Sequence, residues 1–439
     1  MSGRFEELVG NAILGIDTLW GGDVMCPSGT GRFIADSWFS GEPLPPAYTH
    51  PTAVKIRQSG GVSAKTPDRD AIRAYLDAID IPGAIRGLKS ESATRGEYIA
   101  NLALCFETMW DLAMELTGEG EAVSYARCVM ASTGRAPEPS NPTAKRQRVL
   151  ELAKAAGYSS IDDWRRAHLA PMPSIRSLGA AVIAWFDQLT AVHLVPCLPD
   201  AIRTVPRANI QFLPIQDAWF SGSMNYLGRA RRPDGSPEYE ATYEINASLA
   251  ISVPEFMQLV SHEVVPGHVT TFAYLQNLYL RGVVGFEGSV LTMNTRAATL
   301  FEGIANNAIL MAYGVLEVEQ LPDRDLQIGV LLALLQDDAK NQASYLTWHE
   351  QAPQDEVEAV LRNEYLVSDE RANKLSGAWG RHPLLGRMYL PAYRAGTEHV
   401  AGLRRRYPPE ELLPVLYGCS GLVDITTIEE AVQRQSSGA

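Results

Sequence analysis

Two histidines and a glutamate fall within one seven-residue run, His262-Glu263-Val264-Val265-Pro266-Gly267-His268. Imidazole nitrogen and carboxylate oxygen are the donors that zinc and related divalent ions accept. A glutamate next to a ligand histidine can also take a proton from an attacking water. The chemistry on offer is metal-assisted hydrolysis. The spacing is unusual for it. Histidines four apart share a helix face, whereas a separation of six turns them about 120° apart on an unbroken helix. Pro266 lacks an N–H and crowds the turn before it, and Gly267 tolerates the backbone that a break requires. A break at this dipeptide can swing His268 back toward His262.

Those side chains need a helix to carry them, and its start is well marked. Ser252 and Glu255 form an S-x-x-E capping box, and Pro254 suits the first turn. Phe256, Leu259, Val260 and Glu263 then fall on one stripe. A carboxylate that ends an apolar stripe is costly to bury without a partner, and a cation or a reacting water would be one. Apolar recurrence at three and four residues predicts further helices over 98–117, 143–156, 179–195, 254–264, 297–316, 323–347, 354–363 and 396–406. Tyr239 to Asn246 alternates polar with aromatic or β-branched residues after the turn signal Pro233-Asp-Gly-Ser-Pro, which predicts a strand. An extended substrate could pair along its exposed edge, with Tyr243 as a substrate contact. Arg229, Arg231 and Arg232 read as a solvated turn before it. The fold class expected is mainly α, with a small β-sheet next to the active-site helix. The Pro-rich stretch at 135–142 suggests an N-terminal helical region, 1–170, joined in one compact unit to a metal-binding region, 171–439.

Composition narrows the function. The chain has 439 residues, 46% of them hydrophobic, which is enough for a large core. Lys and Arg number 38 against 51 Asp and Glu, a net charge of −13. That balance disfavours nucleic acid and anionic membrane surfaces as partners. The five cysteines, Cys26, Cys105, Cys128, Cys197 and Cys419, are scattered and contain no CxxC pair, so a reducing cytoplasm is expected. The N-terminus shows no basic region leading into an apolar run, so no secretory signal is read there. Leu178 to Val195 is interrupted by Asp187, Gln188 and His193, which suits a buried or amphipathic helix better than a membrane span. The glycines within 27–32, and Gly282, Gly285 and Gly288, do not match phosphate-loop spacing and read as ordinary turns.

The run His262-Glu263-x-x-Pro266-Gly267-His268 resembles the HExxPGH(H) signature of a large bacterial family of uncharacterised proteins. That family is grouped with the gluzincin metallopeptidases, relatives of thimet oligopeptidase and carboxypeptidase Taq. The likeness spans about 215–405. It includes Glu302-Gly303, which matches a Glu-Gly pair that opens a downstream helix, and Tyr393-Arg394-Ala395-Gly396, which is similar to a Tyr-Lys-x-Gly motif. The resemblance implies a gluzincin-like helical metallohydrolase in which Zn²⁺, or another divalent metal, is held by His262, His268 and Glu302, with Glu263 as general base. Glu287, also followed by glycine, is the rival third ligand. Asn306, one turn after Glu302, could hydrogen-bond a ligand histidine. Tyr389 and Tyr393 are candidate oxyanion donors, with His382 a weaker one, and Arg394 could pair with a substrate carboxylate. The chain departs from the family in three places. Val269 replaces a second histidine, Glu302-Gly-Ile-Ala-Asn-Asn replaces an EGWALY-like segment, and Arg387-Met-Tyr-Leu-Pro replaces a PGQ-type segment. The implied substrate is a small peptide or an amide-containing small molecule. A metal-dependent amide hydrolase or lyase acting on a biosynthetic metabolite is the alternative, and a non-catalytic binding protein a further one.

Overall fold

The capping box forms as its spacing predicts. The Ser252 hydroxyl accepts from Glu255 N, the Glu255 carboxylate accepts from Ser252 N, and the helix Val253–Glu263 follows. The computed structural model describes residues 4–21, 35–41, 43–58, 69–203, 209–215, 222–246 and 250–437. Cys26 and the glycine-bearing stretch 27–32 lie outside them. The molecule is mainly helical with a small amount of sheet. The eight helices expected from periodicity are present, as Glu97–Thr117, Thr143–Ala155, Ile175–His193, Val253–Glu263, Arg296–Tyr313, Arg324–Trp348, Gln354–Tyr365 and Leu390–Arg406. Several helices lack a clean sequence signal, among them Arg4–Trp20, Ile81–Arg95 and His268–Leu280. Gly282, Gly285 and Gly288 lie in the turns after the last of these.

The strands form two small sheets. β1 (Ala35–Trp38) pairs antiparallel with β5 (Val290–Thr292). β2 (Asn209–Ile215), β3 (Gly222–Tyr226) and β4 (Glu240–Asn246) form the other, in the order β2-β4-β3. β4 is the strand expected from the sequence. Its burial alternates, with Ala241, Tyr243 and Ile245 inward. It pairs parallel with β2 and antiparallel with β3, so it is the central strand and offers no open edge to a substrate. That corrects the expectation of edge pairing. The strand pattern alone could not show that two neighbours with weaker patterns would flank it. Of the arginines before it, Arg229 donates to Ser40 O at 2.8 Å and Arg231 to Phe39 O at 2.9 Å, so both hold a loop in place. Arg232 is exposed.

One apolar cluster joins the helix around Trp164 to Phe256, Val260, Phe272 and Ile304, so packing continues across position 170. A second cluster joins Ile13, Leu14 and Phe106 of the N-terminal helices to Leu384, Met388, Tyr389 and Tyr393. Buried Arg387 ties the same layers together. It donates to Glu115 at 3.1 Å and to Val123 O at 3.1 Å. No helix among the described residues is long and apolar enough to cross a membrane. The helix Ile175–His193 buries only one face, through Ile175, Val182, Phe186 and Thr190.

Candidate metal centre

His262 lies in the last turn of Val253–Glu263, and His268 opens the next helix, His268–Leu280. Between them the chain turns through a cis Val265–Pro266 bond and Gly267, whose N–H donates to Ser261 O at 3.0 Å. A side chain at 267 is impossible without movement, because a Cβ there would sit 1.8 Å from the His262 carbonyl oxygen. Tyr417 donates to Pro266 O at 3.0 Å and secures the turn. The break brings the two imidazoles together. Their centroids are 4.8 Å apart and nearly perpendicular. Phe272, one turn into the second helix, stacks on His268 at 5.7 Å.

A further candidate donor comes from Arg296–Tyr313. Glu302 Oε2 lies 3.4 Å from His262 Nε2 and 3.8 Å from His268 Nε2. The other oxygen, Oε1, accepts from the Tyr389 hydroxyl at 2.6 Å. Glu263 contributes a carboxylate oxygen within 4.8 Å of both imidazole donors. Glu287 sits in the short turn Phe286–Gly288 and does not line the cavity that Glu302 lines.

His262 Nδ1–H donates to Asn306 Oδ1 at 2.7 Å, and Asn306 Nδ2 donates to Thr397 Oγ1 at 2.8 Å. The bond to Asn306 leaves Nε2 as the electron-pair donor, facing Glu302. Two glycines allow the helices to come this close. A Cβ on Gly303 would lie 2.3 Å from Gly396 O, and one on Gly396 would lie 2.0 Å from Thr299 O. Backbone therefore packs on backbone between Arg296–Tyr313 and Leu390–Arg406. Glu302 and Asn306 then face Tyr389, Tyr393 and Thr397. Tyr389 ends a wide-turn π segment, Leu385–Tyr389, and its ring meets that of Tyr393 edge-on at 5.0 Å.

His262, Glu263, His268, Glu302, Asn306, Tyr389 and Tyr393 line a cavity of about 490 Å³ with Gln258, Phe301 and Lys340. Burial, then the neighbouring His268 and Lys340, holds the His262 imidazole well below its ordinary pKa, in the neutral form that a metal requires. A tetrahedral ion with bonds of about 2.0–2.1 Å holds adjacent donors roughly 3.3 Å apart. The two Nε2-to-Oε2 distances fall close to that, and the donor set of two imidazoles and a carboxylate suits zinc. The residues present fit a divalent ion.

Other expected site residues lie elsewhere. Tyr243 is fully buried and does not line the cavity. Burial, then nearby Glu263, pushes its hydroxyl pKa well up. Arg394 also lies off the cavity, bonded to Glu398 at 2.9 Å and to Pro139 O at 3.0 Å. It points away from the cavity because Tyr393, beside it on the helix, takes the face toward the cavity. His382 is buried, and its Nδ1 accepts from Leu384 N and Leu385 N at 3.2 Å, so it holds a turn. The sequence reading missed Asp337 and Lys340. Lys340 donates to Asp337 at 3.2 Å and lies over the Tyr393 ring. Their signal was a pair of charges inside a helix that buries all its faces at that level.

No family model matches the chain, and no curated protein matches it. Solved structures do. A protein provisionally described as a lipoprotein from Colwellia psychrerythraea aligns with a TM-score of 0.52 and 14% identity, over 90% of this chain and 69% of that one. That likeness concerns the fold alone. A lipoprotein of unknown function from Shewanella oneidensis, also provisionally described, aligns at 0.47 and 13% identity, over 88% of this chain and 72% of that one.

Proposed function

We propose that this protein is a zinc-dependent hydrolase of gluzincin type that cleaves an amide or peptide bond. The observation that carries the reading is the convergence of His262 and His268 on Glu302 Oε2, at 3.4 and 3.8 Å, in the wall of a cavity that Glu263 also lines. His262, His268 and Glu302 would hold the ion, which supplies Lewis acidity that polarises a carbonyl oxygen and lowers the pKa of a water. The remaining work belongs to the chain. The Glu263 carboxylate takes a proton as water adds to the carbonyl carbon, then delivers it to the nitrogen as the C–N bond breaks. Tyr389 orients Glu302 through Oε1. The Tyr393 hydroxyl and the Lys340 side chain line the same cavity and would stabilise the negative charge that develops on the carbonyl oxygen. The free thiols Cys105, Cys128, Cys197 and Cys419 support a reducing location such as the cytoplasm.

Metal analysis and one conservative variant test the reading together. The purified protein should carry one equivalent of zinc, and a His262→Ala, His268→Ala double variant should lose it. Glu263→Gln should keep the metal and lose about 10²–10⁴-fold in turnover of an amide substrate. Undiminished zinc in the double variant sinks the site, and full activity in Glu263→Gln favours a protein that only binds. A second reading, a small metabolite as substrate, is favoured by the absence of an open edge on β4 and by a cavity of small-ligand size. Cleavage of small acyl-amines with no turnover of peptide libraries would select it.

A further inference from the structure

Ion pairs already join cations to carboxylates around the cavity. Arg165 meets Glu255 at 3.2 Å, Lys340 meets Asp337 at 3.2 Å and Lys374 meets Glu370 at 2.8 Å. Gln258 is different. It lines the same cavity, is 3% exposed, and its Nε2 has no hydrogen-bond partner among the described residues. Its Oε1 has only a long contact, 3.4 Å from Ser261 Oγ, and that hydroxyl donates to Gln258 O at 2.7 Å. A buried donor left unpaired costs free energy, and folded proteins carry few of them. In the wall of a ligand cavity such a group is one of the few polar contacts that orient a bound molecule.

Helix geometry places this amide relative to the metal donors. Gln258 and His262 are four residues apart on Val253–Glu263, so they share a face with their Cβ atoms about 5–6 Å apart. Glu255, Leu259 and Glu263 line the cavity from the same helix, which therefore runs along the wall from its first turn to the metal donors. The helix Arg324–Trp348 packs against it so closely that a Cβ on Gly329 would lie 2.7 Å from Pro254 C. From that second helix Gln336 lines the cavity, four residues before Lys340. A carboxamide thus precedes His262 by one turn on one helix and Lys340 by one turn on the next. A carboxamide donates through nitrogen and accepts through oxygen. Its complement is another amide, which offers both functions side by side. One chain repeat of about 3.6 Å and a hydrogen bond of about 2.9 Å bridge the step from the metal donors to Gln258.

We propose that Gln258 is a substrate-binding residue, and that the molecule cleaved here carries a second, uncharged amide one carbon away from the scissile one. The inference rests on the reading of His262, His268 and Glu302 as metal ligands, which fixes where the scissile carbonyl lies. The substrate class is a small N-acylated amino acid amide. With its carbonyl at the metal donors, the second amide lies beside Gln258, one turn back along the helix.

Calorimetric binding to the zinc-loaded protein tests it, with N-benzoylglycinamide and N-(2-methylpropyl)benzamide as probes. Both are neutral and equal in size, and only the first has the second amide. Gln258→Met keeps the length of the side chain and removes both polar atoms. It should cut the ratio of the two affinities, in favour of N-benzoylglycinamide in the wild type, roughly three- to tenfold, with zinc content unchanged. The variant should unfold at a temperature no lower than the wild type, because the lost amide has no partner in the free protein. A ratio within about twofold of wild type in Gln258→Met overturns the inference, the amide then being satisfied by water alone. A lower unfolding temperature also overturns it, since the amide would then be holding the fold. Failure of the hydrolase reading looks different. A Gln258-dependent preference without cleavage of any amide leaves the subsite standing and removes the enzyme. Cleavage of amides with a ratio that Gln258→Met does not change does the reverse.

Discussion

At the scale of single residues, the orientation of the donors is set by groups one bond away. Asn306 fixes His262 through Nδ1, and Tyr389 fixes Glu302 through Oε1, so the remaining nitrogen and oxygen face each other. Partners of this kind raise metal affinity because they remove rotational freedom from the ligand and hold its tautomer. Asn306→Ala should weaken zinc binding by about 10–100-fold, read by competition with a chromophoric chelator. Tyr389→Phe should act in the same direction, because Glu302 loses its 2.6 Å bond. Wild-type zinc affinity in both variants would leave these contacts without a role in binding. Lys340 and Asp337 belong to the same scale. Burial lowers the Lys340 pKa, and Asp337 opposes that shift.

At the scale of elements, two close approaches make the site. The turn at Gly267 joins the histidine helices, and the Gly303–Gly396 contact joins the glutamate helix to the tyrosine helix. Gly267→Ala should reduce bound zinc well below one equivalent while the helical circular dichroism remains, since only the local turn must move. Gly396→Ala should destabilise the protein by about 1–3 kcal/mol, because a methyl group is forced against backbone that cannot yield. Gly402 lies on the same helix with nothing near its Cβ position, and Gly402→Ala should be neutral or stabilising by up to about 1 kcal/mol. Denaturant unfolding of the two variants makes the comparison. An equal response would show that the helices have slack at the crossing.

At the scale of the whole molecule, the site is a junction of distant segments. The histidines come from 262–268, the acid from 302, the tyrosines from 389–393 and the cations from 340 and 371. The helices Arg4–Trp20 and Glu97–Thr117 pack behind the tyrosines and do not line the cavity, whereas Ile161–Ala167 reaches it through Arg165 and Arg166. Metal binding should therefore stabilise the fold as a whole. Zinc at about 100 times its dissociation constant should add roughly 2.7 kcal/mol, so chelation should lower the unfolding temperature and added zinc restore it. The His262→Ala, His268→Ala variant should show no zinc-dependent shift.

Much of this was written in local order along the chain. The Ser252–Glu255 cap, the helical periodicities and the Pro266–Gly267 break are properties of neighbouring residues, and each governs backbone within a turn or two of itself. The two histidines and Glu263 could be singled out for that reason, whereas Glu302, and Asn306 one turn beyond it, were singled out through the resemblance. Among the described residues, four of the five strands were not, because short strands draw their stability from cross-strand partners that sequence order does not reveal. Which way a side chain faces was also a tertiary matter. Tyr243 went into the core and Arg394 away from the cavity, while Lys340 and Arg371 reach it, because the surfaces packed against each helix and strand, not its own pattern, decide which face meets the cavity.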